Sequence, residues 1–350
     1  MDFEAYLQAW PQVLHCGNKM KLRDFQYNLP DKLIAQFPLE NRAAARLLVL
    51  NRRTGIIIHS DFNRITDFIQ EGDLLILNNT RVFKARLVGR KNTGGKVEML
   101  LIRKLEQGLW EAMISHAKRT HEGAIIEFAG KTFARIEKKL GGAKVTLEFN
   151  QDAEKIIREY GRVPLPHYIK REAVANDEAT YQTTFAKETG SIAAPTAGLH
   201  FTNDLLKDIQ SGGANITELT LHIGPGTFKP IRSEHIEEHQ MDAEFFEISE
   251  STLAMIKNAK KVYAVGTSVC RALETYSKTG ENTDWADLFI YPGYKFQMID
   301  CLVTNFHLPG STPLLLVCAF AGKDLIFKAY EEAIKEKYRF LSYGDAMLIV

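Results

Sequence analysis

The sequence predicts a mixed α/β protein, a large α/β domain carrying a small inserted β-barrel. Three observations lead there. Residues 72–152 are cut into short strand-like runs by Gly-Gly and polar breaks, with no sustained 3.6-residue period, and many short strands at such spacing make a barrel or sandwich. From residue 153 onward strand-like and helix-like segments alternate, the texture of an α/β layer fold. The short-strand unit begins and ends inside the chain, so it reads as an insertion between residues 20–71 and 153–350 of one body.

The elements follow in order. Residues 1–19 precede a second methionine, Met20, and read as an N-terminal extension with no assigned chemistry. Residues 47–50 and 56–58 are aliphatic and flank a polar turn, which predicts a β-hairpin. The inserted unit contributes runs at 74–77, 82–88, 97–102, 109–114, 125–128, 133–137 and 145–149. Beyond it, strands are expected at 217–222, 262–265 and 302–304, and helices at 251–259, 268–277 and 312–321. Thr202 fits an N-cap for a helix that stops at Gly212-Gly213. Thr312 followed by Pro313 fits an N-cap with proline at the first helical position.

Bulk composition narrows the function classes. The chain has 350 residues, 45% hydrophobic, ample for a sizeable core. Its longest apolar run, residues 314–321, is too short to cross a bilayer, and no basic start leads into an apolar stretch. Cys16, Cys270, Cys301 and Cys318 form no CxxC pair, which predicts free thiols in a reducing, cytoplasmic compartment. The net charge is +1, yet the stretch from Arg81 to Lys139 holds fourteen Lys/Arg against six Glu and no Asp. Segregation of this size predicts a phosphate-facing surface on the barrel, with Arg81, Arg90, Lys91, Lys118 and Arg119 as candidate phosphate contacts. A solvated basic face without a partner is the bland alternative.

Five loops carry residue types suited to chemistry. The first, GSIAAPTAGLHFT at 190–202, offers Pro195, Thr196, Ala197, Gly198 and Phe201 around His200, with small residues that admit a ligand to the backbone. The second, LHIGPGTF at 221–228, places His222 before Gly224, Gly226 and Thr227. The third joins a buried strand to a helix through Gly266 and Thr267, with Arg271 one turn on, a cradle for a carboxylate or phosphate. The fourth, TNFHLPGST at 304–312, offers Asn305, His307, Ser311 and Thr312. The fifth, SYGDAM at 342–347, offers Tyr343, Gly344 and Asp345. A histidine at a strand end is ordinarily structural, so no loop decides the matter alone. His235 and His239 have i, i+4 spacing, but Glu237 and Glu238 beside them suggest a solvated face rather than a metal site. HExxH, Walker A and GxGxxG are absent.

Taken in order, the segments FQYNLPDKLIAQFP (25–38), GDLLILNNTRVFKARL (72–87), GGKVEMLL (94–101), GRVPLPHYI (161–169), the loops at 191–202, 222–228, 266–274 and 304–312, and YRFLSYGDAML (338–348) resemble the queuosine-pathway S-adenosylmethionine:tRNA ribosyltransferase-isomerase family. The resemblance runs from Lys21 to the C-terminus. Departures from the family pattern are Ala45 for serine, His167 for proline, Pro225 for alanine, Asp242 for a second histidine, Gly310 for a basic residue, and GTSVCR for GTTSVR at 266–271.

The resemblance implies transfer and isomerisation of the ribosyl part of S-adenosylmethionine onto 7-aminomethyl-7-deazaguanine at the wobble position of tRNAs with a G-U-N anticodon. The products would be epoxyqueuosine-tRNA, adenine and methionine. It also implies a monomer that needs no metal and no cofactor beyond S-adenosylmethionine. Such chemistry needs a base for the C–H beside the sulfonium and a donor to departing adenine, for which His200, His222 and Asp345 are the expected residues. A SAM-dependent tRNA methyltransferase is the rival enzyme, but the glycine-rich strand-loop-helix it ordinarily uses is not found. A non-catalytic RNA-binding module would leave the polar loops without a purpose.

Overall fold

The computed structural model describes residues 19–350. The expected N-terminal extension and Cys16 therefore lie outside the described residues, apart from Lys19, whose Nζ meets Glu238 at 2.9 Å. A nine-stranded mixed sheet forms the large body, and six antiparallel strands close into a barrel. In spatial order the sheet runs Thr283–Ala286, Glu244–Glu247, Asn215–Leu221, Leu74–Asn78, Val262–Val265, Cys301–Asn305, Ala346–Ile349, Arg46–Leu50 and Ile57–Asp61. The four strands from Asn215–Leu221 to Cys301–Asn305 are mutually parallel.

Strand alternation explains how this sheet is buried on both faces. Leu74 and Ile76 enter one apolar cluster while Leu75 and Leu77 enter the other, because successive side chains point to opposite faces. Helices Thr267–Thr279, Thr312–Ala321 and Lys323–Lys335 supply the first cluster, and helix Asn203–Ser211 with the turn Phe62–Phe68 covers the second. Each fully buried Leu, Ile or Val side chain contributes about 1.5–3 kcal/mol. The barrel, built from Arg86–Lys91, Lys96–Lys104, Trp110–Ile114, Ile125–Glu127, Phe133–Gly141 and Lys144–Phe149, has a separate core around Leu87, Met99, Ile126 and Leu147.

Two expectations about the insertion need correction. The run at 74–77 was expected with the barrel, but Leu74–Asn78 is a central strand of the large sheet. The run at 82–88 is two strands: Thr80–Val82 pairs with Glu188–Ser191, and Arg86–Lys91 enters the barrel. A four-residue aliphatic run fits either partner, and only long-range pairing separates them. The hairpin at 46–61 and the helix from Thr202 to Gly212 form where expected, and the Thr202 hydroxyl accepts from Leu205 N at 3.2 Å. At the helix Thr312–Ala321 the cap is Ser311, which accepts from Leu314 N, so Thr312 is the first helical residue. Among the described residues, no helix is long and apolar enough to cross a membrane.

Candidate active site

The parallel strands all end on one side of the sheet, and ligands of open α/β sheets bind outside the carboxyl ends of their strands. Asn78, the last residue of Leu74–Asn78, ties two of those ends together. Its Oδ1 accepts from Leu221 N and Thr80 N, both at 3.1 Å, and its Nδ2 donates to Leu221 O at 3.0 Å and Ser268 Oγ at 3.2 Å. Every polar position of this buried amide is used. The signal that marks Asn78 in the sequence is a polar residue ending a run of four aliphatic ones.

A cavity of about 230 Å³ opens above these ends. Pro195, Thr196, Ala197, Gly266, Thr267, Arg271, Asn305, His307, Ser311 and Thr312 all line it, drawn from three of the five loops. Gly266 has φ +98°, a left-handed conformation that lets the strand turn directly into helix Thr267–Thr279. Helix Thr312–Ala321 begins at the same cavity, so two helix N-termini border it, and both favour negative charge. His167 and Gly310, two of the family departures, also line it. Gly310 has φ +61°, which disfavours a side chain, and a Cβ there would lie 2.4 Å from Nε2 of the exposed Gln26, which would have to shift for the family's basic residue.

Arg271 is not the free cradle expected. Its guanidinium pairs with the buried Glu244 carboxylate and donates to Ala286 O at 2.8 Å and Leu288 O at 3.3 Å. Glu244 in turn accepts from Gly224 N at 2.8 Å. The pair thus fixes the Gly224 turn against helix Thr267–Thr279. Burial of both charges makes a lone survivor costly.

His222 lies on a second, larger opening, a cleft of about 1540 Å³ between the barrel and the sheet, which Gly224 also lines. Its Nδ1 lies 2.8 Å from Thr80 Oγ1, and its ring stacks on Phe245 at 5.9 Å. A Cβ on Gly190 would fall 2.6 Å from His222 Nε2, so the glycine gives the ring its space. Partial burial lowers the pKa of this imidazole, which keeps it neutral and able to accept a proton. Gly226 and Thr227 belong to the turn Pro225–Phe228 that follows, and a Cβ on Gly226 would meet Asp242 at 2.8 Å. Asp242, another departure, is ion-paired with Lys229.

His200, Tyr343 and Gly344 border a third, small hollow together with Ala45. His200 is a packed core residue rather than an open loop position: it is 5% exposed and lies against Phe62 with ring centroids 4.8 Å apart. Burial pushes its pKa down to about 4, outweighing a hydrogen bond with the Arg42 backbone that acts the other way. Its Nε2 lies 3.2 Å from Asn305 Nδ2. Gly198 and Phe201 are buried beside it, Phe201 in the sheet's core. Tyr343 donates to Asp177, which Arg171 grips through two bonds of 2.7 Å.

Asp345, the third expected catalyst, has its carboxylate held by neighbouring groups. Its carboxylate accepts from Arg46 N at 3.0 Å and Arg339 N at 2.8 Å and pairs with the Arg46 guanidinium at 3.3 Å. It is 2% exposed and lines none of these openings. Its backbone carbonyl accepts from Asn305 Nδ2 at 3.3 Å. Asn305 therefore joins His200 and Asp345 to the cavity, while its own Oδ1 is buried without a hydrogen-bond partner. Such an orphan acceptor costs on the order of 1–3 kcal/mol.

The basic candidates fall in two places. Arg90 and Lys91 close strand Arg86–Lys91 at the end away from Arg86, which bridges Arg162. Lys91 Nζ donates to Arg119 O at 2.6 Å, bringing the exposed Lys118 and Arg119 to the same rim. Arg81 stands apart, exposed on strand Thr80–Val82 at the cleft. Among the described residues, no group of three or more His, Cys, Asp or Glu is placed to hold a metal ion.

Comparison with known proteins gives a consistent result. A family model described as Queuosine biosynthesis protein matches residues 22–349. The S-adenosylmethionine:tRNA ribosyltransferase-isomerase of Sulfurihydrogenibium sp. (strain YO3AOP1) is 48% identical over 336 residues, spanning 95% of this chain and 100% of the relative. That of Halothermothrix orenii is 48% identical over 343 residues, with the same two coverages. The crystal structure of an S-adenosylmethionine tRNA ribosyltransferase from Thermotoga maritima is 35% identical, covers 93% of this chain and 100% of its own, and has a TM-score of 0.54.

Proposed function

The chain belongs to the S-adenosylmethionine:tRNA ribosyltransferase-isomerase family of queuosine biosynthesis, and from that premise we propose how its openings divide the work. It is an enzyme that acts on tRNA with S-adenosylmethionine. The cavity bordered by Gly266 and Thr312 takes S-adenosylmethionine, with the methionyl carboxylate toward the two helix N-termini. The cleft beside it takes the tRNA, whose wobble base is 7-aminomethyl-7-deazaguanine in a G-U-N anticodon. The ribosyl group moves to the aminomethyl nitrogen and is isomerised, giving epoxyqueuosine-tRNA, adenine and methionine. The observation that carries this division is the shared wall: Ile223, Glu244 and Leu288 line both openings, so two substrates held there meet at one place.

Within this reading His222 is the proton acceptor, because it is neutral, oriented by Thr80 and open to the cleft. His200 and Asp345 act one step removed, by holding Asn305. Pro195, Thr196, Ala197 and His307 shape the cavity wall, and Tyr343 with Gly344 supports the His200 hollow. The barrel, which we take as the inserted domain, anchors tRNA phosphates through Arg81, Arg90, Lys91, Lys118 and Arg119. We read the enzyme as a monomer that works in the cytoplasm.

The test is direct. Protein incubated with S-adenosylmethionine and tRNA carrying 7-aminomethyl-7-deazaguanine should release adenine and methionine in equal amounts, with turnover retained in a metal chelator. S-adenosylhomocysteine as the main product would sink the assignment in favour of a methyltransferase.

A further inference from the structure

The cleft has an aromatic floor that the reaction as described does not use. Trp285 sits on the edge strand Thr283–Ala286 and is 44% exposed. It is the register partner of Phe245 on the neighbouring strand, and the two rings meet edge to face at 5.8 Å. Phe245 stacks in turn on His222. A continuous row therefore leads from the exposed indole to the imidazole at the wall between the two openings. Single exposed apolar side chains are ordinary, but a connected row inside a cleft is not.

The charges around this row are balanced rather than basic. Arg103 and Lys144 both pair with Glu111, at 2.8 and 3.4 Å, and Lys84 pairs with Glu178 at 2.6 Å. Arg81, Lys104 and Arg158 line the same cleft and can meet backbone phosphates beside the row. The chemistry on offer is a π-face, the feature that all nucleobases share and that single-stranded RNA presents when its bases are splayed. Arg103 already rests its guanidinium 5.1 Å from the Trp285 ring centre, which shows that this face is directed at the barrel and is open to a planar cation.

We propose that Trp285, backed by Phe245, is a stacking platform for an anticodon-loop nucleobase next to the one being modified. The entering base takes the place of the Arg103 guanidinium on the indole, and Arg103 turns to that nucleotide's phosphate. Stacking of a neighbour holds the loop open, so the target base reaches His222 already unstacked from its own strand. This assignment rests on the reading that the cleft receives tRNA.

Fluorescence tests it. In a Trp10→Phe, Trp110→Phe background, Trp285 emission should be quenched by a synthetic stem–loop RNA with a G-U-N anticodon loop, and not by a blunt duplex RNA of equal length. Trp285→Ala should raise KM for tRNA on the order of tenfold and leave KM for S-adenosylmethionine unchanged. Trp285→Phe, which keeps a π-face, should recover most of the loss, and thermal midpoints report whether each variant is folded. Absence of quenching, equal quenching by the duplex, or an unchanged tRNA KM in folded Trp285→Ala would each overturn the platform. Failure of the wild-type protein to release adenine from S-adenosylmethionine and tRNA would instead overturn the reading of the reaction, and the quenching arm reads independently of it.

Discussion

Asn305 Nδ2 stands 3.2 Å from His200 Nε2, a contact that lets the buried imidazole hold the amide in place. The amide lines the cavity at the strand ends while the imidazole lies behind it in the core. A neutral His200 accepts from the amide and fixes its orientation.

Loss of that support should lower turnover without removing a titrating group. His200→Asn and Asn305→Ala should each reduce kcat at least tenfold, since small misplacements in a site have large effects on rate. The pH–rate profile of His200→Asn should parallel that of the wild type between about pH 5.5 and 8, because a ring held near pKa 4 does not change charge there. A limb missing from the variant's profile would restore His200 as the proton carrier.

The same histidine shapes acid stability. Its folded pKa is depressed to about 4 from the ordinary 6.5, so between those values the unfolded chain binds the extra proton. Stability from this residue is complete above pH 6.5 and is lost as pH falls toward 4, on the order of 3 kcal/mol in all. Denaturant midpoints measured across that window should fall less steeply in His200→Gln than in the wild type. Parallel slopes would contradict the assignment of the burial effect to this ring.

His222 differs in being open to the cleft and tied to Thr80. His222→Ala should lower kcat at least tenfold with a near-normal thermal midpoint, the span expected for losing an acid or base group. Thr80→Val should give a smaller loss in the same direction, because it removes only the orienting bond. Near-normal kcat in folded His222→Ala would make the imidazole structural.

The Arg271–Glu244 pair predicts strong non-additivity. Arg271→Met removes the guanidinium from the buried Glu244 carboxylate and should destabilise by about 3–5 kcal/mol. The double variant Arg271→Met with Glu244→Gln should lose less than the sum of the single changes, read from urea midpoints. Strict additivity would mean the two charges are not coupled.

Charge reversal of Arg90, Lys91, Lys118 and Arg119 together should weaken tRNA binding and flatten its dependence on salt, while the dissociation constant for S-adenosylmethionine stays the same. Titrations at several salt concentrations check both halves. An unaltered salt slope would establish that this rim merely keeps the barrel soluble and would leave tRNA to the cleft.

Much of the architecture was legible locally. The alternation of Leu47–Leu50 with the polar turn after it, the cap at Thr202 and the glycine breaks after residue 90 each act within a few residues, and the elements they specify are present. The candidate loops were legible too, because polar and small residues at strand ends stand out against aliphatic runs. Asn78 was missed because most of its effect is long-range: besides the nearby Thr80, its partners are Leu221 and Ser268, far along the chain. The Thr312 cap was misplaced by one residue, since Ser311 and Thr312 are both competent caps in sequence terms.

By itself the sequence determined the α/β texture with its barrel, and the family through ordered motifs over nearly the whole chain. Tertiary structure alone decided that Leu74–Asn78 joins the large sheet, that His200 is buried while His222 meets the cleft, and that Arg271 and Asp345 are already spent on Glu244 and Arg46. The physical reason is range. Propensity, capping and turn chemistry are settled between neighbours in the chain, whereas burial, ion pairing and the direction of a side chain depend on which distant segments the fold brings against it.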